Sequence, residues 1–141
     1  MDASTNDPPL SLGAAAPAPA SASPAAGTPR PPAQPKTFRE KVEAGRFVMT
    51  VEVDPPHGVH PRRAIEGAAL LQQAGIDAVN VGDSPTAKVR MSPLAMSFLL
   101  QRELGVDIVM HYTTRDRNAM AIHSDMIGAH VLGIRNILCL R

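Results

Sequence analysis

Three stretches of the chain are versions of one phrase: Ala74-Gly75-Ile76-Asp77-Ala78-Val79-Asn80-Val81, Leu104-Gly105-Val106-Asp107-Ile108-Val109-Met110-His111 and Leu132-Gly133-Ile134-Arg135-Asn136-Ile137-Leu138-Cys139. In each, a glycine suited to ending a helix is followed at once by an Ile- and Val-rich run of strand character. With Phe47 opening an earlier run, the starts Phe47, Ile76, Val106 and Ile134 fall about 30 residues apart, the length of one strand-plus-helix unit. Such units build a parallel sheet, because a parallel neighbour is reached only by a crossover long enough to hold a helix.

The segments between these runs carry helix punctuation. Thr37-Phe38-Arg39-Glu40 is a T-x-x-E capping box, with Phe38 and Val42 one turn apart and Gly45 as a stop. Pro61 suits a first helical turn, after which Ala64, Ile65, Ala68, Ala69 and Leu71 form an apolar side closed by Gly75. Ser92-Pro93 is a cap followed by a first-turn proline, and Leu94, Ala95, Phe98 and Leu99 are expected to face inward until Gly105. A further helix is predicted from Thr114 to Val131, with Ala119, Met120, Ile122, Met126, Ile127 and Ala129 as its buried side. The predicted order is a helix, then strand and helix three times, then a fourth strand reaching Arg141. An eight-stranded barrel at this spacing needs about 240 residues, and an open doubly wound sheet needs another unit. The expectation is therefore the N-terminal half of a larger protein.

Chemistry concentrates in Thr50-Val51-Glu52-Val53-Asp54-Pro55-Pro56. The β-branched residues favour a strand, and the prolines cannot donate to a ladder, so the strand ends near Asp54. Alternation puts Thr50, Glu52 and Asp54 on a polar face and Met49, Val51 and Val53 on an apolar one. Glu52 thus stands at the C-terminal end of a strand with a second carboxylate beside it.

Residues 1–35 are Ala, Pro and Ser with hardly a large apolar side chain, a composition that cannot offset the entropy of ordering, and are read as a disordered tail. Asp2 and Asp7, with no arginine before Arg30, speak against export or import signals, so the cytoplasm is the expected location. No apolar run approaches the roughly 20 residues of a membrane span. A net charge of +1 and the absence of tryptophan give no reason to expect a nucleic-acid surface. The single cysteine, Cys139, allows no internal disulfide and no Cys-rich zinc site.

Val51-Glu52-Val53-Asp54-Pro55-Pro56 resembles the E-x-x-P-P motif on the first strand of methylenetetrahydrofolate reductases. The similarity continues through Ala78-Val79-Asn80-Val81-Gly82-Asp83-Ser84-Pro85, Arg90-Met91-Ser92-Pro93, Val109-Met110-His111-Tyr112-Thr113-Thr114-Arg115-Asp116 and Ile137-Leu138-Cys139-Leu140-Arg141. Several strand-end segments in matching order are far more specific than one short motif. The resemblance implies a (β/α)8 TIM barrel, of which residues 36–141 would hold the first four strands and three helices. It also implies FAD as cofactor, reduction of 5,10-methylenetetrahydrofolate to 5-methyltetrahydrofolate, and a reduced nicotinamide or other electron donor as partner. In this family the glutamate matching Glu52 is the general acid that protonates the bridging nitrogen of the substrate. Such an acid needs its proton held by desolvation or by neighbouring negative charge, and Asp54 is a neighbour of that kind. The same comparison places Gly82, Asp83, His111 and Arg141 at the flavin. Many members carry aromatic residues where this chain has Val53 and Asp54.

Other readings of the same residues remain open at this level. Glu52 could pair with a lysine or arginine in a barrel interior, and Asp54 could serve as a turn-former before proline. His123 and His130 lack the i, i+4 spacing of helical zinc ligands and are expected on a helix surface, with no metal site. Arg115, Asp116 and Arg117 look like a solvated charge cluster. A flavin-free barrel enzyme acting on a pterin or a phosphorylated metabolite is the rival activity. As a separate polypeptide the chain is expected to be an inactive, self-associating half-barrel.

Overall fold

The strand-forming runs pair in the order in which they occur. A computed structural model describes residues 37–141, and the tail expected over residues 1–35 lies outside the described residues. The strands are β1 (Thr50–Val53), β2 (Ala78–Val81), β3 (Ile108–Thr113) and β4 (Asn136–Leu140), and the helices are α1 (Phe38–Glu43), α2 (Arg62–Gln73), α3 (Pro93–Leu104) and α4 (Ala119–Val131). A short 3-10 turn, Pro85–Ala87, follows β2. The four strands form one sheet of order β1-β2-β3-β4, parallel throughout.

Each strand begins two or three residues later than its hydrophobic run predicts, and the helix ends explain why. Gly45, Gly75, Gly105 and Gly133 all have positive φ, as the end of a helix requires. The residue after the glycine still bonds back to the helix: Arg46 N–H to Lys41 O, Ile76 N–H to Leu71 O and Ile134 N–H to Ala129 O. Its donor is therefore taken, and the ladder starts further on.

Sequential parallel order with right-handed crossovers puts every connecting helix on the same side of the sheet. The core lies on that side. Val53, Val81, Met110 and Ile137 are partners across the four strands, and they pack with Ala64, Ile65 and Ala68 of α2, Met96 and Leu100 of α3, and Ile122, Met126 and Ala129 of α4. The opposite, inner row is Glu52, Asn80, Val109 and Asn136. A doubly wound sheet would reverse direction and cover both faces. This arrangement is an α/β fold consistent with part of a TIM barrel.

Two helices are rotated from their expected phase. In α3 the buried residues are Pro93, Met96, Ser97 and Leu100, while Ala95 is exposed. In α4, Ala119 is exposed, Met120 is 80% exposed and Ile127 67% exposed, contrary to expectation. Both helices are apolar on nearly every side, so periodicity does not single out a buried stripe. α4 also starts at Ala119 rather than Thr114. Asn118 supplies the cap, its Oδ1 accepting from Ala121 N–H at 2.9 Å.

At the N-terminal ends of the strands, the repeated Gly-x-Asp phrase holds α1. Asp107 accepts from Phe38 N–H, and Asp77 binds Lys41 Nζ at 2.7 Å and Met49 N–H at 2.8 Å. The Lys41 hydrogen bond, followed by that from Met49, holds the Asp77 carboxyl below its usual range. The T-x-x-E box closes as expected, with Thr37 Oγ1 accepting from Glu40 N–H and Glu40 accepting from Thr37 N–H.

Candidate active site

The polar face of β1 meets the glycine at the end of β2. A Cβ at Gly82 would stand 2.8 Å from Asp54 Oδ1 and 3.1 Å from Glu52 Oε1. The absent side chain is what lets both carboxylates lean over β2, so Gly82 belongs to the site by leaving room.

From β3, His111 reaches the same spot. It is 8% exposed, with Nδ1 3.9 Å from Glu52 Oε1 and Nε2 3.3 Å from Asn80 Oδ1. Among the described residues, no lysine or arginine pairs with Glu52, whose side chain is 53% exposed. Asp54 does have a cationic partner, Arg90 Nη2 at 3.2 Å. Arg90 also donates to Pro55 O at 2.8 Å, and Met91 N–H donates to Pro56 O at 2.8 Å. The segment leading into α3 thereby grips the proline pair, and Pro55 is fully buried. Beside β1 lies a cleft of about 790 Å³ whose lining includes Glu52, Asp54, His57, Arg63, Leu70 and Arg90.

Asp83 turns inward. Its Oδ2 accepts from Thr113 N–H at 2.8 Å, Thr113 Oγ1 at 3.1 Å and Arg117 Nη1 at 2.6 Å. Burial alone would raise this carboxyl. The hydrogen bonds from Arg117 and Thr113, with the Arg117 charge, outweigh burial and hold it below its usual range. Arg117 is no solvated charge: its guanidinium lies 4.3 Å from the centre of the Tyr112 ring and binds Asp125 Oδ2 at 3.3 Å. The Tyr112 hydroxyl donates to Asp125 at 2.9 Å, and burial, then that bond, push its phenol up to about 12. The ends of β2 and β3 and the body of α4 are clamped together through these groups.

Sequence comparison decides the identity once this geometry is known. The family model described as Methylenetetrahydrofolate reductase matches residues 37–141. The chain belongs to the methylenetetrahydrofolate reductase family. Among curated proteins none matches it. Membership in the methylenetetrahydrofolate reductase family supports an oxidoreductase in folate-related reduction, within a family that is generally flavin-dependent.

Of the residues singled out from the sequence, the structure brings Glu52, Gly82 and His111 together. Asp83 is adjacent in the chain, and its carboxylate bonds Arg117 and Thr113. Arg141 lies just past β4, exposed and outside this cluster. Asn80 and Arg90 went unassigned, and Arg117 was read as part of a solvated charge cluster. Asn80 was findable, since it is two residues before Gly82 and must share its face. Arg117 was not, because nothing in a run of alternating charges says which one folds inward. Among the described residues no group of three or more His, Cys, Asp or Glu could hold a metal ion, and no helix is long and apolar enough to cross a membrane.

Proposed function

We propose that these residues form the folate-facing part of a flavin-dependent methylenetetrahydrofolate reductase in which Glu52 is the general acid. The observation that carries this reading is the convergence of Glu52, Asp54 and His111 over Gly82 at the C-terminal strand ends, where parallel barrels do their chemistry. The inner face also fits a flat ring system. It offers exposed apolar surface at Leu138 (43%) and Leu140 (38%) beside the polar groups of Asn80, His111 and Asn136. FAD, when bound, would supply the hydride. Gly82, His111 and Arg141 would hold it, and Asp83 would act indirectly by fixing the ends of β2 and β3.

Glu52 gives its proton to the bridging nitrogen of 5,10-methylenetetrahydrofolate. The C–N bond breaks, the electron pair stays with the nitrogen, and the one-carbon unit becomes an electrophile that accepts hydride to give the 5-methyl product. Asp54 lies beside Glu52 over Gly82, where its ion pair with Arg90 holds it. The donor that recharges the flavin is a reduced nicotinamide or another reductant, and the enzyme works in the cytoplasm. In the flavin-loaded enzyme, Glu52→Gln should leave flavin reduction intact and abolish folate reduction, because only the second half-reaction opens a ring. Stopped-flow measurement of the two half-reactions separates them. Folate turnover unchanged in that variant would remove Glu52 from the role.

A further inference from the structure

His111 has two ring nitrogens with different partners, and one of those partners is unambiguous in its chemistry. Nε2 lies 3.3 Å from Asn80 Oδ1, and an amide oxygen can only accept. A neutral imidazole meets it by carrying its hydrogen on Nε2, which leaves Nδ1 with a bare lone pair. Nδ1 is the nitrogen that faces Glu52 Oε1, at 3.9 Å. Strand register builds this arrangement. Glu52 is the partner of Asn80, and Asn80 is the partner of Val109, two residues before His111, so the three side chains leave the sheet on the same face.

We propose that Asn80 is a positioning residue that fixes His111 as the Nε2–H tautomer, so that Nδ1 is the acceptor for the carboxyl hydrogen of protonated Glu52. The proposal deepens the reading of Glu52 as general acid and rests on it. The present 3.9 Å is longer than a hydrogen bond, and Glu52, with half its side chain exposed, can rotate to close it. Two positions follow for the carboxyl: turned to His111 it keeps its hydrogen, and turned outward it presents that hydrogen to the substrate nitrogen. The proton passes from Glu52 to the substrate, and His111 is left as it was. Asp54, the other charged group at this spot, is engaged by Arg90 and does not compete for Nδ1.

The test reads the imidazole directly. Long-range proton–nitrogen correlation spectra of the nitrogen-labelled chain, taken in alkaline buffer where imidazoles are neutral and assigned against His111→Gln, should show the Nε2–H pattern. Glu52→Gln should keep that pattern, Asn80→Ala should lose the preference, and Asn80→Asp, which retains an accepting oxygen, should restore it. An Nδ1–H pattern in the unaltered chain, or an unchanged spectrum in Asn80→Ala, overturns the proposal. If the alanine variant fails to fold, the aspartate variant decides, since an Nδ1–H pattern there is equally fatal. No turnover is involved. A failure of Glu52→Gln to block folate reduction would therefore count against the functional reading while leaving the tautomer result in place.

Discussion

Gly82 is the residue where backbone and chemistry are hardest to separate. The atoms a new Cβ would meet are the far ends of two flexible carboxylate side chains, which can swing away at small cost to the fold. Gly82→Ala is therefore expected to lower stability by no more than about 1 kcal/mol, the usual size for a single substitution, while displacing Glu52 and Asp54 and removing folate reduction. Denaturant midpoints and half-reaction rates on the same preparation check both parts, and a variant that is active as well as stable would show that the carboxylates need not converge. At this scale the sequence was legible where a residue's type constrains its use. The strand-end positions of Glu52, Gly82 and His111 were readable, and the family resemblance grouped them. Arg117 was not, because its inward turn depends on Asp83, Tyr112 and Asp125, which are brought to it by three different elements.

Those contacts make the clamp a property of elements rather than of one side chain. The Asp83 carboxyl lies below its ordinary range in the folded protein. Its contribution to stability is therefore fully present above the unfolded aspartate value of about 4 and is lost as pH falls through the lower folded value. Asp83→Asn should flatten the pH dependence of the urea midpoint in that acid window. It should also lower stability at neutral pH by about 3 kcal/mol, because Arg117 is left partly buried without its main partner. Curves for the two proteins that stay parallel from neutral pH into acid would show that Asp83 is not the group being titrated. The elements themselves were largely readable: the caps at Thr37 and Ser92 and the glycine stops appear where the pattern puts them, and all four strands exist, each starting two or three residues late. The rotations of α3 and α4 were not readable, because an apolar residue on every side of a helix gives the moment no direction.

For the described residues as a whole, sequence order became spatial order; the spacing of the repeats implied a parallel sheet, and the barrel-like order came from the family resemblance. The sheet is uneven in cover. β2 and β3 are buried along most of their length, whereas β1 alternates and β4 is exposed over its last three residues. Amide hydrogen exchange should accordingly be slowest in Ala78–Val81 and Ile108–Thr113 and faster in β1 and β4, because opening at the sheet margins exposes less apolar surface. Uniform protection across the four strands would contradict that ranking. The proline grip has a further consequence. In a parallel strand with one apolar and one polar face, a slip by a single residue would exchange the two faces, sending Val53 to the inner surface and Glu52 under α2. Such an error is not graded; it takes the Glu52 carboxylate out of the cluster over Gly82 while leaving a strand of ordinary appearance. Arg90 holding Pro55 O and Met91 holding Pro56 O act as an end stop against it, so the segment between β2 and α3 proofreads the alignment of a strand it does not pair with.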